Sequence, residues 1–340
     1  MRPAAFLPLL VAFPVQVLAS WGDRSKDFRY CLSRCETVEC APAKEPVPLS
    51  LSLRLTRWTC SDNCKYTCMH EITARDTALG TQVKQYYGKW PFWRLGGVQE
   101  PASVAFSLLN LSAHVKGASR LRREISGEHP MRIYYLLWAF ASMNTWIWSS
   151  IFHTRDTPLT EKLDYFSAAF TILFALYFCV IRLLHLYTKP RSRLILSSDL
   201  PRSWSWILWT SICIVAFVCH VTYLTLLPRF DYVYNIIFNS AVGMTHNLLW
   251  LVYSLPASIS LIRRFPSRPK TYRPPFVSRA AILVLFTTAA TGLELFDFPP
   301  WGRIIDAHSL WHLSTALIAP FWYQFLVDDS RDESWREHRA

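Results

Sequence analysis

The sequence predicts an all-α integral membrane protein, a seven-transmembrane helix bundle preceded by a small disulfide-rich lumenal N-terminal domain. Three observations carry this expectation. Six long apolar runs recur through the last two-thirds of a 340-residue chain that is 51% hydrophobic, and about 18 consecutive apolar residues suffice to cross a bilayer. The loops between these runs alternate between strongly basic and nearly neutral. Six of the nine cysteines crowd between residues 31 and 68, behind an apolar leader. The net charge of +12 sits in the loops and follows the topological bias of membrane proteins, so it does not mark a nucleic-acid surface. A soluble globular enzyme and general disorder are both excluded.

Residues 1–20 read as a signal peptide. Arg2 precedes an apolar stretch from Phe6 to Leu18, and Val17 and Ala19 are the small residues before a cleavage point near Ala19 or Ser20. A membrane anchor is the alternative, but the run is short and interrupted by proline. Residues 21–95 follow as a lumenal domain holding Cys31, Cys35, Cys40, Cys60, Cys64 and Cys68. Six thiols in an oxidising lumen imply three disulfides. Zinc is the competing reading, although most spacings are x3 where zinc sites favour x2. Six cysteines allow fifteen connectivities, and sequence does not choose among them.

The clear apolar runs cover about 131–153, 164–187, 204–227, 232–255, 277–298 and 305–327. One set of loops carries Lys116 to Arg123, Lys189 to Arg202 and Arg263 to Arg273; the other, 154–163, 228–231 and 299–304, is nearly neutral. The basic set is expected to face the cytoplasm. A lumenal cysteine domain and a cytoplasmic Lys116 require one more crossing, and residues 96–115, carrying Glu100 and His114, are its only candidate. Asn110, in Asn-Leu-Ser, then lies in the membrane; were the segment lumenal, it would be a glycan acceptor. The bundle spans 96–327, with a cytoplasmic tail at 328–340.

Ionisable residues in membrane spans are costly and mark function. Ser149 and His153 lie one turn apart at the end of one span, Asp164 opens the next, and Asp306 and His308 open the last, with His312 one turn on. His308 and His312 share a helix face about 6 Å apart along the axis. The charge-derived topology puts Ser149, His153, Asp164, His308 and His312 at one lumenal level. Three neutral imidazoles and a water would complete a tetrahedral zinc site with an open position, the catalytic kind. The plainer alternative is three interfacial histidines satisfied by water. Glu294, Asp297 and Asp306 are placed to support an imidazole. Arg182 and His185 are expected to snorkel, and His220 and His246 to bond between helices.

Ser149-x3-His153, Asp164 and His308-x3-His312 resemble the signature of the CREST superfamily of seven-helix membrane hydrolases. Within it, the cysteine-rich head, Lys89-Trp90-Pro91-Phe92, Gln99-Glu100-Pro101-Ala102-Ser103, Leu293 to Pro300 and Asp306-Ala307-His308 resemble the post-GPI attachment to proteins factor 3 family. The resemblance runs from about Tyr30 to Leu326. It implies a phospholipase A2 specific for glycosylphosphatidylinositol (GPI) anchors, which removes the sn-2 acyl chain from GPI-anchored proteins to leave a lyso-GPI. It also implies zinc on His153, His308 and His312, Asp164 as general acid/base, and Ser149 stabilising the oxyanion or orienting water. Ser149 as a covalent nucleophile with His153 as base is a rival mechanism. A non-catalytic receptor or cargo chaperone for GPI proteins is a rival function. The expected residence is the endoplasmic reticulum membrane, with the Golgi as alternative.

Overall fold

The computed structural model describes residues 21–41, 49–187, 203–256, 258–260, 262–265, 267–332 and 335. The expected signal peptide, the basic loop from Lys189 to Arg202 and most of the expected tail lie outside the described residues. The chain divides into two compact units, Met1–Arg54 with Trp58–Pro91, and Leu55–Arg57 with Phe92–Ala340.

The first unit holds α1 (Trp21–Arg24), α2 (Lys26–Glu39), α3 (Leu51–Leu55) and α4 (Cys60–Ala78). Cysteines four apart share one helix face, so α2 and α4, run antiparallel, present their cysteines rung against rung. Cys31 pairs with Cys68, Cys35 with Cys64 and Cys40 with Cys60. Every sulfur of the cluster is thus spent in a disulfide, which disposes of the zinc reading. Phe28, Ile72 and Tyr86 form the small core beside these bridges. Such a core is too small to hold alone, and cross-links are the usual remedy. Ser25 caps α2, and Thr59 with Asp62 forms a capping box at α4.

Among its described residues the second unit holds seven long helices: α5 (Pro101–Glu124), α6 (Arg132–Thr154), α7 (Pro158–Leu183), α8 (Trp204–Leu226), α9 (Tyr232–Ser254), α10 (Phe276–Leu295) and α11 (Ala307–Ser330). No strand occurs among the described residues. Three helices, α7, α8 and α10, are long and apolar enough to cross a membrane by length and composition. The other four are of similar length but carry Asn, Ser, Thr and His inside the bundle. Buried Ser107, Asn110, His114 and Asn247 contrast with exposed Leu108, Val115, Phe140, Ile214, Leu285 and Leu317. Polar inside and apolar outside is the pattern expected where lipid is the solvent.

Six helices close a ring in which α5 meets α6, α6 meets α7, then α9, α10 and α11, which returns to α5; α8 packs chiefly on α7. Gly117 permits the closest approach: a β-carbon there would lie 2.2 Å from the Tyr323 ring of α11. Several boundaries differ from expectation. The basic residues from Lys116 to Arg123 lie within α5, and α11 continues to Ser330, past the expected end at 327. That extension has a cause. Arg182 does not snorkel; its Nε and Nη2 donate to the two Asp329 oxygens at 2.6 and 2.8 Å, and Tyr253 donates to Oδ1 at 2.6 Å. Both charges are buried, and together they tie α7, α9 and α11 at one end. His220 makes no hydrogen bond with either ring nitrogen and stacks on Phe238 at 4.1 Å. His246 accepts from Trp250 and contacts Asn247 within its own helix.

Breaking a buried pair strands a charge and costs about 3–5 kcal/mol, whereas an exposed pair is worth about 0–1 kcal/mol. Asp329→Asn is therefore expected to lower the thermal midpoint in detergent markedly. Arg331→Ala, which removes only exposed contacts to Glu124 and Asp328, should leave it nearly unchanged.

Candidate metal centre

The opposite end of the ring gathers the histidines. α6 ends with Ser149 and His153, and α11 begins with a capping box in which Asp306 accepts from the Ser309 amide at 2.8 Å. That cap fixes the first turn of α11, so His308 and His312 leave it on one face. It also gives Asp306 a structural role in place of the imidazole support expected of it. The entry of α5 is clamped to the exit of α6: the Gln99 and Glu100 amides donate to the Thr154 and His153 carbonyls, each at 3.0 Å. Pro101 then starts α5 at a position where no amide is needed.

The ring nitrogens of His153, His308 and His312 converge, with candidate ligand atoms within 4.8 Å of one another. His308 Nε2 is 3.3 Å from His153 Nε2 and 2.9 Å from His312 Nε2. On the far side of each ring, Nδ1 has its own partner. His153 Nδ1 donates to Glu100 Oε2 at 2.8 Å, His308 Nδ1 donates to Glu294 Oε2 at 2.6 Å, and His312 Nδ1 lies 2.9 Å from Ser107 Oγ. A carboxylate can only accept, so Nδ1 of His153 and His308 carries a proton, which leaves Nε2 of each ring as the nitrogen able to offer a lone pair inward.

This donor set fits zinc. Two nitrogens bound tetrahedrally at about 2.0–2.1 Å stand about 3.3 Å apart, close to the spacings found here. Two carboxylates behind the rings offset the charge of a divalent cation and fix ring orientation. Side-chain exposure falls from 34% at His308 to 2% at His153, so the centre opens on the His308 and Glu294 side.

Of the residues singled out by sequence, the three histidines are brought together. Ser149 is buried, and its hydroxyl meets Ser107 Oγ at 3.0 Å, which in turn lies 2.9 Å from His312 Nδ1. Asp164 is half-buried in the second turn of α7 and is not one of the three clustered ligands. Asn110 is buried in α5, donating to the His312 carbonyl at 2.7 Å, which places its side chain inside the bundle. Glu294 supports an imidazole as expected. Glu100, Ser107 and Asn110 are supports that sequence reasoning missed. Their signal was present: with Ser103 and His114, they recur at helical spacing on one face of the least apolar segment.

A fold of this kind, a helical membrane bundle around a three-histidine centre braced by acids, defines a membrane protein with a metal-type site. The chain belongs to the Per1-like family, which it matches over residues 50–330. It is 42% identical over 317 residues to the Protein PER1 homolog of Schizosaccharomyces pombe, covering 92% of this chain and 88% of that one. It is 35% identical over 334 residues to the human GPI-specific phospholipase A2-like PGAP3, covering 96% and 94%. The Danio rerio protein of the same name is 37% identical over 317 residues, covering 92% and 91%. No solved structure matches the chain.

Removing an acid behind a metal-bound imidazole typically costs 10–100-fold in metal affinity. Glu100→Gln and Glu294→Gln are each expected to weaken zinc binding by that factor in a chelator competition, without lowering the thermal midpoint of the metal-free protein. Asn110 is expected to carry no glycan, so endoglycosidase treatment should leave the electrophoretic mobility unchanged.

Proposed function

We propose that the chain remodels the lipid of GPI anchors, as a zinc-dependent hydrolase of the sn-2 acyl ester in the phosphatidylinositol moiety of GPI-anchored proteins. The observation that carries this reading is the convergence of three Nε2 atoms, two of them backed by buried or half-buried carboxylates, at one end of a lipid-facing helix bundle. The relatives called GPI-specific phospholipase A2-like PGAP3 supply the substrate class. In the proposed topology all seven long helices cross the membrane, the cysteine-rich unit is lumenal, and residues 1–20 are removed as a signal peptide. The basic helix ends and loops then face the cytoplasm, and the histidine centre lies at the lumenal interface, where the anchor's ester bonds sit. Residence is in the secretory pathway, in the endoplasmic reticulum by preference and otherwise the Golgi.

A bound zinc ion would supply a water of lowered pKa and polarise the ester carbonyl. His153, His308 and His312 would hold it. Glu100 and Glu294 keep the Nδ1 protons in place, so that the same nitrogen of each ring faces inward throughout. Asp164 is the candidate general acid/base, taking a proton from the attacking water and returning it to the leaving alkoxide. Trp146 and Trp311 stand against His312 at 5.2 and 5.1 Å between ring centres and exclude water from its buried side. A covalent Ser149 nucleophile finds no support in this arrangement, because the Ser149 hydroxyl bonds Ser107 and not the His153 imidazole that would serve as its base.

Loss of a general acid/base costs about 10²–10⁴ in rate. In cells lacking the endogenous activity, Asp164→Asn is expected to express at the normal level and leave GPI-anchored proteins with unremodelled, unsaturated lipid by mass spectrometry. Remodelled lipid at the wild-type level would contradict the hydrolase reading and favour a non-catalytic carrier of GPI proteins.

A further inference from the structure

Two of the three imidazoles lean on carboxylates; the third leans on a hydroxyl. Ser107 Oγ lies 2.9 Å from His312 Nδ1 and 3.0 Å from Ser149 Oγ. Both serines are at most 3% exposed, and neither hydroxyl has a further partner among the described residues. We propose that Ser107 and Ser149 form a two-hydroxyl relay that positions His312, with Ser149 acting only through Ser107. This inference rests on the proposed zinc site and deepens it.

The chemistry of the third position explains the choice of residue. A hydroxyl both donates and accepts, whereas a carboxylate only accepts. Bound to a cation through Nε2, His312 must carry its proton on Nδ1, which then donates to Ser107 Oγ, and the Ser107 hydrogen turns to Ser149 Oγ. Without a cation, His312 Nε2 and His308 Nε2 stand 2.9 Å apart, and a hydrogen carried by either ring must lie between them. Because the Ser107 hydroxyl both donates and accepts, it bonds His312 Nδ1 whichever ring carries that hydrogen. A carboxylate in place of Ser107 would lock Nδ1 as a donor in both states. It would also add a negative charge to a buried centre in which two carboxylates already balance a divalent ion.

Ser149 is in this account a positioning residue. It gives the Ser107 hydrogen a destination in the cation-bound state, and its hydroxyl bonds Ser107 and none of the three histidine rings. The test is a double-mutant cycle on the full-length protein in detergent. Wild type, Ser107→Ala, Ser149→Ala and the double variant are compared for zinc affinity by chelator competition, and the His312 tautomer is read by ¹⁵N NMR. Ser107→Ala is expected to weaken zinc binding 10–100-fold, with Ser107→Thr restoring it. Ser149→Ala is expected to have an effect of its own only while Ser107 is present, so the double variant should match Ser107→Ala within about twofold. In zinc-bound wild type the His312 proton should sit on Nδ1. Multiplying effects of the two serines, or a zinc-bound His312 with no proton on Nδ1, would overturn the relay. If wild type takes up no zinc, the hydrolase reading falls separately. The relay is then tested by the same four proteins under chelator, where thermal midpoints that fall additively would contradict it.

Discussion

Everything at the histidine end answers one constraint: three imidazole lone pairs directed at a single point inside an apolar bundle. Lone pairs 2.9–3.3 Å apart repel unless a proton or a cation lies between them. In a low-dielectric interior, that demand is far stronger than in water. The positions of Glu100, Glu294 and Ser107 follow from it, because each fixes which nitrogen of its ring points inward. The clamp between α5 and α6 and the cap at Asp306 follow as well, since they fix the start of α5 against the end of α6 and set the first turn of α11. The Arg182–Asp329 pair does the corresponding work at the other end of the ring, where two buried charges satisfy each other with help from the Tyr253 hydroxyl and the Arg264 carbonyl.

The bundle resolves the conflict between apolar solvent and polar centre by turning polar residues inward along α5, α6, α9 and α11. Such helices are less apolar than a lipid-buried span needs on average, yet each shows Leu, Ile or Phe on its outward face. α5 is the extreme case. Its inner face reads Glu100, Ser103, Ser107, Asn110 and His114, and Gly117 then lets the Tyr323 ring of α11 against its backbone.

Much of this was legible in the sequence. The four-residue spacing of His308 and His312 fixes a shared face without any tertiary information, and loop charge alone brings His153 to the same level. The cysteine cluster announced cross-links, but their pairing required knowing that α2 and α4 run antiparallel. Averaged hydropathy hid the supports on α5, because a face-by-face pattern cancels in a window mean. The bond between Arg182 and Asp329 joins residues 147 apart in sequence, and nothing local marks either as a partner of the other. Asp329 instead looked like the start of a polar tail, where its burial by Tyr253 and Arg182 makes it the anchor of the final helix turn.

The three-histidine cluster is proposed to be a zinc site. Its most direct test is the zinc content of the detergent-purified protein, by mass spectrometry of the metal, for wild type and for His308→Ala. The account predicts close to one zinc per wild-type chain and its loss from a folded His308→Ala protein. A well-folded wild type that binds no zinc even when zinc is supplied would contradict it.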